Sequence, residues 1–332
     1  MAEVTTMSRT SAVFALCSLA VVGCDPAIDD PGDIPEGVIE TDEVGCDYAS
    51  DSFNDDANVG LQSTAEWSCA DGIRSLSANG VPDHAVGEFP NANNPTAIGA
   101  VMVEVDMTLD PEVLSDTGET ARTAGYALNG VKVESGTAGT CNDAGDCAPI
   151  GNGGQWSMEA LGVAGFDFGT DDNHAHVQPT GSYHYHGVPD GLVENLGGEG
   201  DVTLIGWAVD GFPMYARVGY TDPTDATSDI VVMQPSWTTT ASAPADRPSI
   251  DVYALGAFTQ DWEYVIGFGD LDACNGRFGV TPEFPEGIYH YYMTDSFPFG
   301  PRCVKGTSMT EEEGPGGPPP GQGPPPGQGP PA

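Results

Sequence analysis

His184 and His186 lie two apart in Pro179-Thr180-Gly181-Ser182-Tyr183-His184-Tyr185-His186-Gly187. Pro179 and Gly181 mark a turn. The Tyr-His-Tyr-His run that follows alternates, which reads as a β-strand. Residues i and i+2 of a strand share a face, with Cβ atoms about 6.6 Å apart at about 3.3 Å rise per residue. Two imidazoles so placed can lean onto one metal ion at about 2.0–2.1 Å each. Tyr183 and Tyr185 then point to the opposite face, where their rings can fill a core.

The chain has six histidines, and four of them, His174, His176, His184 and His186, fall within thirteen residues; the others are His84 and His290. The pattern Pro-x-Gly-x-Tyr-His-Tyr recurs 106 positions downstream as Pro285-Glu286-Gly287-Ile288-Tyr289-His290-Tyr291. There Tyr292 replaces the second histidine. The candidate metal set is His176, His184 and His186, with His290 or His174 as a fourth ligand. Asp210 and Asp83 are candidates to orient ligand rings from behind. A site dominated by imidazole suits copper or zinc. Two chemistries follow: activation of water, with Glu283 or Asp210 as base, or copper redox beside Tyr183, Tyr185 or Tyr289. The competing reading is a buried hydrogen-bonded His/Tyr network that locks two hairpins together. No Gly-x-Ser-x-Gly, His-Glu-x-x-His or P-loop is present, so no named enzyme class and no catalytic residue is assigned.

Glycine is abundant and helical periodicity scarce. Residues 100–105, 202–207 and 264–268 read as strands, and one short helix is expected near 156–161. The expected class is mostly β, a sandwich or barrel-like single large domain with long loops, stapled by disulfides. In Gly206-Trp207-Ala208-Val209-Asp210-Gly211-Phe212-Pro213-Met214-Tyr215 a strand enters an Asp-Gly turn and returns, with Trp207, Phe212 and Tyr215 in the core. Arg217, Arg277 and Arg302 are expected to pair with carboxylates or cap carbonyls; Arg277 has the alternative of clamping an anion.

Residues 1–23 read as a signal peptide: Met7-Ser8-Arg9 is a short basic start and residues 11–22 form an apolar run too short to span a bilayer. Val21-Val22-Gly23-Cys24 matches a lipobox, which marks Cys24 for lipidation and membrane attachment by lipid alone. Residues 24–58 read as an acidic, Pro/Gly-rich tether, residues 59–312 as the folded domain and residues 313–332 as a Pro/Gly/Gln-rich tail. Exclusion of Cys17 and Cys24 leaves six cysteines, an even number that points to disulfides in an exported chain. Sequence order suggests Cys46–Cys69, Cys141–Cys147 and Cys274–Cys303 among fifteen possible pairings, with the short acidic loop 142–146 favouring the second. Nine Lys and Arg face fifty Asp and Glu, a net charge of −41. Removal of residues 1–23 takes one acid and one base and leaves that balance unchanged. Such a surface excludes electrostatic attraction to nucleic acid or anionic lipid. It fits a solvated acidic exterior, and the loops 167–173 and 221–225 are candidates for Ca²⁺. A glycan, a peptide or another surface protein is the alternative partner class for an anchored binding module.

The motifs Asn79-Gly80-Val81-Pro82-Asp83-His84, Gly206–Tyr215, Leu271-Asp272-Ala273-Cys274-Asn275-Gly276-Arg277, Thr281-Pro282-Glu283-Phe284-Pro285 and Phe297-Pro298-Phe299…Pro301-Arg302-Cys303 accompany the Tyr-His-Tyr-His run in order. Together they resemble the YHYH-domain family from about residue 79 to residue 305. The resemblance implies a secreted or surface protein of the bacterial envelope. It also implies that His176 is the histidine before the turn proline, a position His174 fits less well. Tyr292 departs from a full second Tyr-His-Tyr-His.

Overall fold

The computed structural model describes residues 41, 44–151, 153–161, 166–198 and 200–309. The expected signal peptide, the expected lipidation at Cys24 and the Pro/Gly/Gln-rich tail lie outside the described residues. The folded part begins before the expected boundary at residue 59: Ala49–Asn54 is already a strand.

Two sheets share one hydrophobic core. The first is an antiparallel meander of Ala49–Asn54, Leu61–Ala70, Ile73–Ala78 and Val103–Thr108. The second has eight strands in the order Ala175–Val177, Tyr183–Tyr185, Lys132–Val133, Gly125–Ala127, Thr203–Ala208, Pro213–Ala216, Ile288–Met293, Gly276–Gly279. Trp67, Leu76 and Met107 of the first sheet pack in the same cluster as Tyr183, Tyr185, Trp207 and Tyr291 of the second. Trp67 Nε1 donates across the interface to the Leu128 carbonyl, and the Arg74 guanidinium lies 3.5 Å from the Trp207 ring centroid. The architecture is a mostly β sandwich without barrel closure. Three disulfides, Cys46–Cys69, Cys141–Cys147 and Cys274–Cys303, follow the pairing that sequence order suggests and fit an exported protein in an oxidising compartment.

The expected helix near residues 156–161 does not form. Trp156–Ser157 is a short strand and Met158 bridges to Phe258, because Trp156, Met158 and Phe258 build a satellite core there. Among the described residues the α-helix is instead Asp190–Asn195. Of the expected strand 264–268 only Tyr264 is extended, at the end of Trp262–Tyr264, and Ile266 and Phe268 are exposed. The Asp-Gly hairpin holds: Trp207 pairs with Pro213 and the side chains of Trp207, Phe212 and Tyr215 are buried. Arg217 pairs with Asp190 and Asp295, Arg302 with Glu159, and Arg277 caps the Tyr220 carbonyl.

The eight-stranded sheet is an internal duplication. Its two middle strands pair antiparallel about Tyr126↔Trp207, flanked by Gly125↔Ala208 and Ala127↔Gly206. Gly125-Tyr126-Ala127-Leu128-Asn129-Gly130 thereby faces its own counterpart, Gly206-Trp207-Ala208-Val209-Asp210-Gly211, across a local two-fold. Both turn glycines adopt positive φ, 79° at Gly130 and 90° at Gly211, a conformation open to glycine at little cost. Each hairpin passes on to a parallel Tyr-His-Tyr strand, Tyr183–Tyr185 beside Lys132–Val133 and Ile288–Met293 beside Pro213–Ala216. Each Tyr-His-Tyr strand then has an antiparallel outer neighbour, with His176↔His184 and Arg277↔His290 in register. The turns entering those outer strands match in detail. Asp171 accepts from the backbone of Asn173 and Ala175, and Asp272 from Cys274 and Gly276. The left-handed residues are His174 and Asn275, at φ 55° and 64°.

His290 illustrates how one half is locked. Its Nδ1–H donates to the Ile288 carbonyl, and its Nε2 accepts from the Tyr292 hydroxyl, both at 2.9 Å. Burial, helped by the Arg277 charge, pushes its pKa down to about 3. The unfolded chain takes up a proton near pH 6.5 that the folded chain refuses, so this stability is complete above about pH 6.5 and drains as pH falls toward 3, by about 5 kcal/mol in all. His290→Gln is therefore expected to flatten the acid limb of a plot of urea-unfolding free energy against pH; an unchanged limb would refute the assignment.

Candidate metal centre

The Tyr183–Tyr185 strand splits its side chains as alternation requires. The tyrosines face the core: Tyr183 Oη donates to Asp171, and Tyr185 Oη lies 2.6 Å from His84 Nε2 while accepting from Asn129. His184 and His186 face the other way, and His176 reaches them from the paired strand. The three ring centroids are 4.7 Å apart in every pairing. One nitrogen from each ring lies within 4.8 Å of the other two, a separation that one ion bonded at about 2.0–2.1 Å to each can bridge after small side-chain adjustment.

The polar accounting of this cluster does not close within the protein. His176 Nδ1 donates to the Phe168 carbonyl at 3.1 Å, which leaves Nε2 as a free lone pair. His186 is 1% exposed, yet neither of its ring nitrogens has a partner in hydrogen-bonding geometry; the Gly136 backbone is near enough to favour the protonated ring, the least of the influences on it. A buried polar atom left unpaired costs about 1–3 kcal/mol. His184 is 2% exposed; its Nδ1 faces the Ser182 carbonyl at 3.4 Å and its Nε2 faces a Glu134 carboxylate oxygen at 3.6 Å. Burial drives the pKa of His184 and His186 well below the usual imidazole range, reinforced at each by neighbouring imidazoles and cations. Burial also lowers His176. Neutral imidazoles are the form that binds a metal, and the Nδ1–H to carbonyl contact at His176 is the usual orienting bond behind a ligand histidine.

The second half of the sheet provides an internal control. At the positions of His176, His184 and His186 it carries Arg277, His290 and Tyr292, and at the position of Glu134 it carries Tyr215. There the imidazole is satisfied on both nitrogens from within the protein. The first half lacks that closure.

Not every expected site residue joins the cluster. His290 is committed to its own half. His174 turns its Nδ1 to the Val188 carbonyl, because the left-handed turn aims its side chain away from the triad. Asp210 accepts from Tyr291 and Gly306, and burial raises its pKa; Asp83 accepts from Asn129, and neither touches the triad. Glu283 accepts from Tyr215. Tyr183, Tyr185 and Tyr289 lie on core-facing positions, the last bonded to Asp272. The Ca²⁺ candidates use their carboxylates to cap turns: Asp222 and Asp225 bind Thr224 and Thr227, and Asp167 binds Gly169 and Asn93. A cleft of about 730 Å³ lies on the His84 side, lined by Asn173, Asp190 and Arg217, and does not include the triad.

Sequence reasoning missed Glu134, which is buried beside His184 at the end of the Lys132–Val133 strand. Lys132 holds one carboxylate oxygen at 3.1 Å and Gln178 donates to the other at 2.7 Å. The available signal was the Gly-aromatic-Ala-x-Asn/Asp-Gly repeat, which places the strand bearing Glu134 opposite the one bearing Tyr215.

The model of the YHYH protein family matches residues 104–306, so the chain belongs to that family. The Asn79–His84 motif lies outside the match. Comparison with curated proteins and with solved structures gives no match.

In metal-free protein, His186→Leu is expected to cost less than about 1 kcal/mol in urea unfolding, since it removes two unpaired buried nitrogens without breaking a bond. A loss of several kcal/mol would reveal a partner for the ring.

Proposed function

We propose that this YHYH-family chain is an exported envelope protein that holds one copper or zinc ion through His176, His184 and His186. The observation that carries the reading is His186, fully buried with both ring nitrogens unpartnered, within reach of two further imidazoles. The triad fits a borderline ion because all three donors are neutral nitrogens. A bound ion would supply Lewis acidity or a one-electron couple. The protein's own contribution is orientation: the Phe168 carbonyl fixes His176, and the two-strand register fixes His176 against His184.

The reading puts the domain on a membrane by a lipid on Cys24, with the residues up to about 43 as tether and the residues beyond 312 as tail. Among the described residues no helix is long and apolar enough to cross a membrane. The −41 charge argues against nucleic acid as a partner. A second reading, a non-enzymatic module for a glycan, a peptide or a surface protein, draws support from the 730 Å³ cleft on the His84 side.

Elemental analysis of the purified full chain is expected to find one copper or zinc per molecule, lost in both His184→Ala and His186→Ala. Metal at one hundred times its dissociation constant should add about 2.7 kcal/mol to unfolding of the wild type and nothing to either variant. Metal-free protein that also shows no such gain would refute the centre. Cys24→Ser is expected to move the protein from the membrane to the soluble fraction of fractionated cells; continued membrane retention would exclude the lipid anchor.

A further inference from the structure

Glu134 is a buried acid for which the histidine triad alone gives no role. Its carboxylate is held from several sides. Lys132 and Arg122 approach Oε1 at 3.1 and 3.5 Å, and Gln178 donates to Oε2. Oε2 also lies 3.6 Å from Nε2 of His184. Two ligand atoms of a tetrahedral ion bonded at about 2.0–2.1 Å stand about 3.4 Å apart. The nitrogen–oxygen separation is thus close to one edge of a coordination tetrahedron and long for a hydrogen bond; the carboxylate stands outside the set of donor atoms that lie within 4.8 Å of one another, so it must shift toward the other two imidazoles to share their ion.

The tautomers of His184 lead to the same place. With the proton on Nδ1, facing the Ser182 carbonyl, the Nε2 lone pair confronts a carboxylate oxygen. With the proton on Nε2, the Nδ1 lone pair confronts the Ser182 carbonyl instead. Either way two acceptors face each other, and a cation between Nε2 and Oε2 removes the conflict.

The duplication adds independent support. Tyr183, Tyr185, Asp171 and His184 keep their identities in the second half as Tyr289, Tyr291, Asp272 and His290. Around the imidazole three positions change together: His176 to Arg277, His186 to Tyr292 and Glu134 to Tyr215. The half whose imidazole is satisfied from within has also dispensed with the carboxylate, which groups Glu134 with the two extra histidines.

We propose that Glu134 is the fourth protein ligand of the centre and makes it selective for a divalent ion. This rests on the triad as a metal site. A carboxylate oxygen is a hard donor that suits Zn²⁺ or Cu²⁺ and does little for Cu⁺, which prefers soft sulfur or imidazole. Lys132 and Gln178 act as the outer contacts that hold the carboxylate in place.

The test uses the full-length protein stripped of metal with a chelator and titrated separately with Zn²⁺ and, anaerobically, with Cu⁺ against chromophoric competitors. Glu134→Gln keeps the shape and removes the charge. It is expected to weaken Zn²⁺ at least tenfold, to change Cu⁺ affinity less than threefold, and to alter the Cu²⁺ paramagnetic resonance spectrum. Glu134→His is expected to restore tight Zn²⁺ binding, which a purely structural role would not allow. Equal Zn²⁺ affinity in wild type and Glu134→Gln, with binding lost in His186→Ala, would overturn the role of Glu134 and leave the triad standing. An equal loss of both ions in Glu134→Gln would also overturn it, as would absence of any binding by wild type, which removes the triad as well.

Discussion

The structure depends on the two-sidedness of one short strand. In Tyr183-His184-Tyr185-His186 alternation sends the phenols into the core between the sheets and the imidazoles to the outer face. The phenol side is closed. Asp171, His84 and Asn129 satisfy the two hydroxyls, and aromatic rings pack around them. The imidazole side is open in the chemical sense: three buried or half-buried rings converge with more lone pairs than donors. A strand slipped by one residue would exchange the two sides and leave phenols facing carboxylate and imidazoles inside the hydrophobic core. The register is therefore fixed by the same alternation that builds the candidate centre.

The second Tyr-His-Tyr strand shows what the same framework does when its imidazole is closed from within. His290 donates to Ile288 and accepts from Tyr292, and Arg277 occupies the place of His176. The framework carries over almost bond for bond, down to the Asp-capped left-handed turns at His174 and Asn275. The two halves thus separate contacts that hold the fold, which both retain, from groups that one half alone carries. Buried polar groups are hydrogen-bonded as a rule, so the unmatched nitrogens of His186 mark the half whose imidazoles are not closed from within.

Charge is distributed to the same end. The described basic side chains are few in a chain of net charge −41, and most are tied to buried partners. Arg247 pairs with Asp261, Lys305 with Asp272, and Arg302 with Glu159. Lys132 and Arg122 instead hold Glu134 beside the triad. Among the described residues, acids such as Asp56, Asp222 and Asp225 cap turns away from the centre.

Much was legible in the sequence for a physical reason: local patterns are written in local periodicity and spacing. The mostly β class, the Asp-Gly hairpin and the shared face of His184 and His186 all follow from neighbours in the chain, and the cysteine order suggested the pairing found. The short helix near Trp156 failed because tertiary packing against Phe258 overrode local preference. His290, Asp210 and Asp83 were misplaced as partners of the triad because proximity across a sheet depends on strand order, which a list of motifs does not contain. Glu134 went unseen for the same reason. It lies far from His184 along the chain, and only the parallel pairing of Lys132–Val133 with Tyr183–Tyr185 brings the two together. The sequence by itself determined which side chains share a face; the tertiary structure decided which faces meet, because long-range pairing is selected by the whole core and not by any one strand.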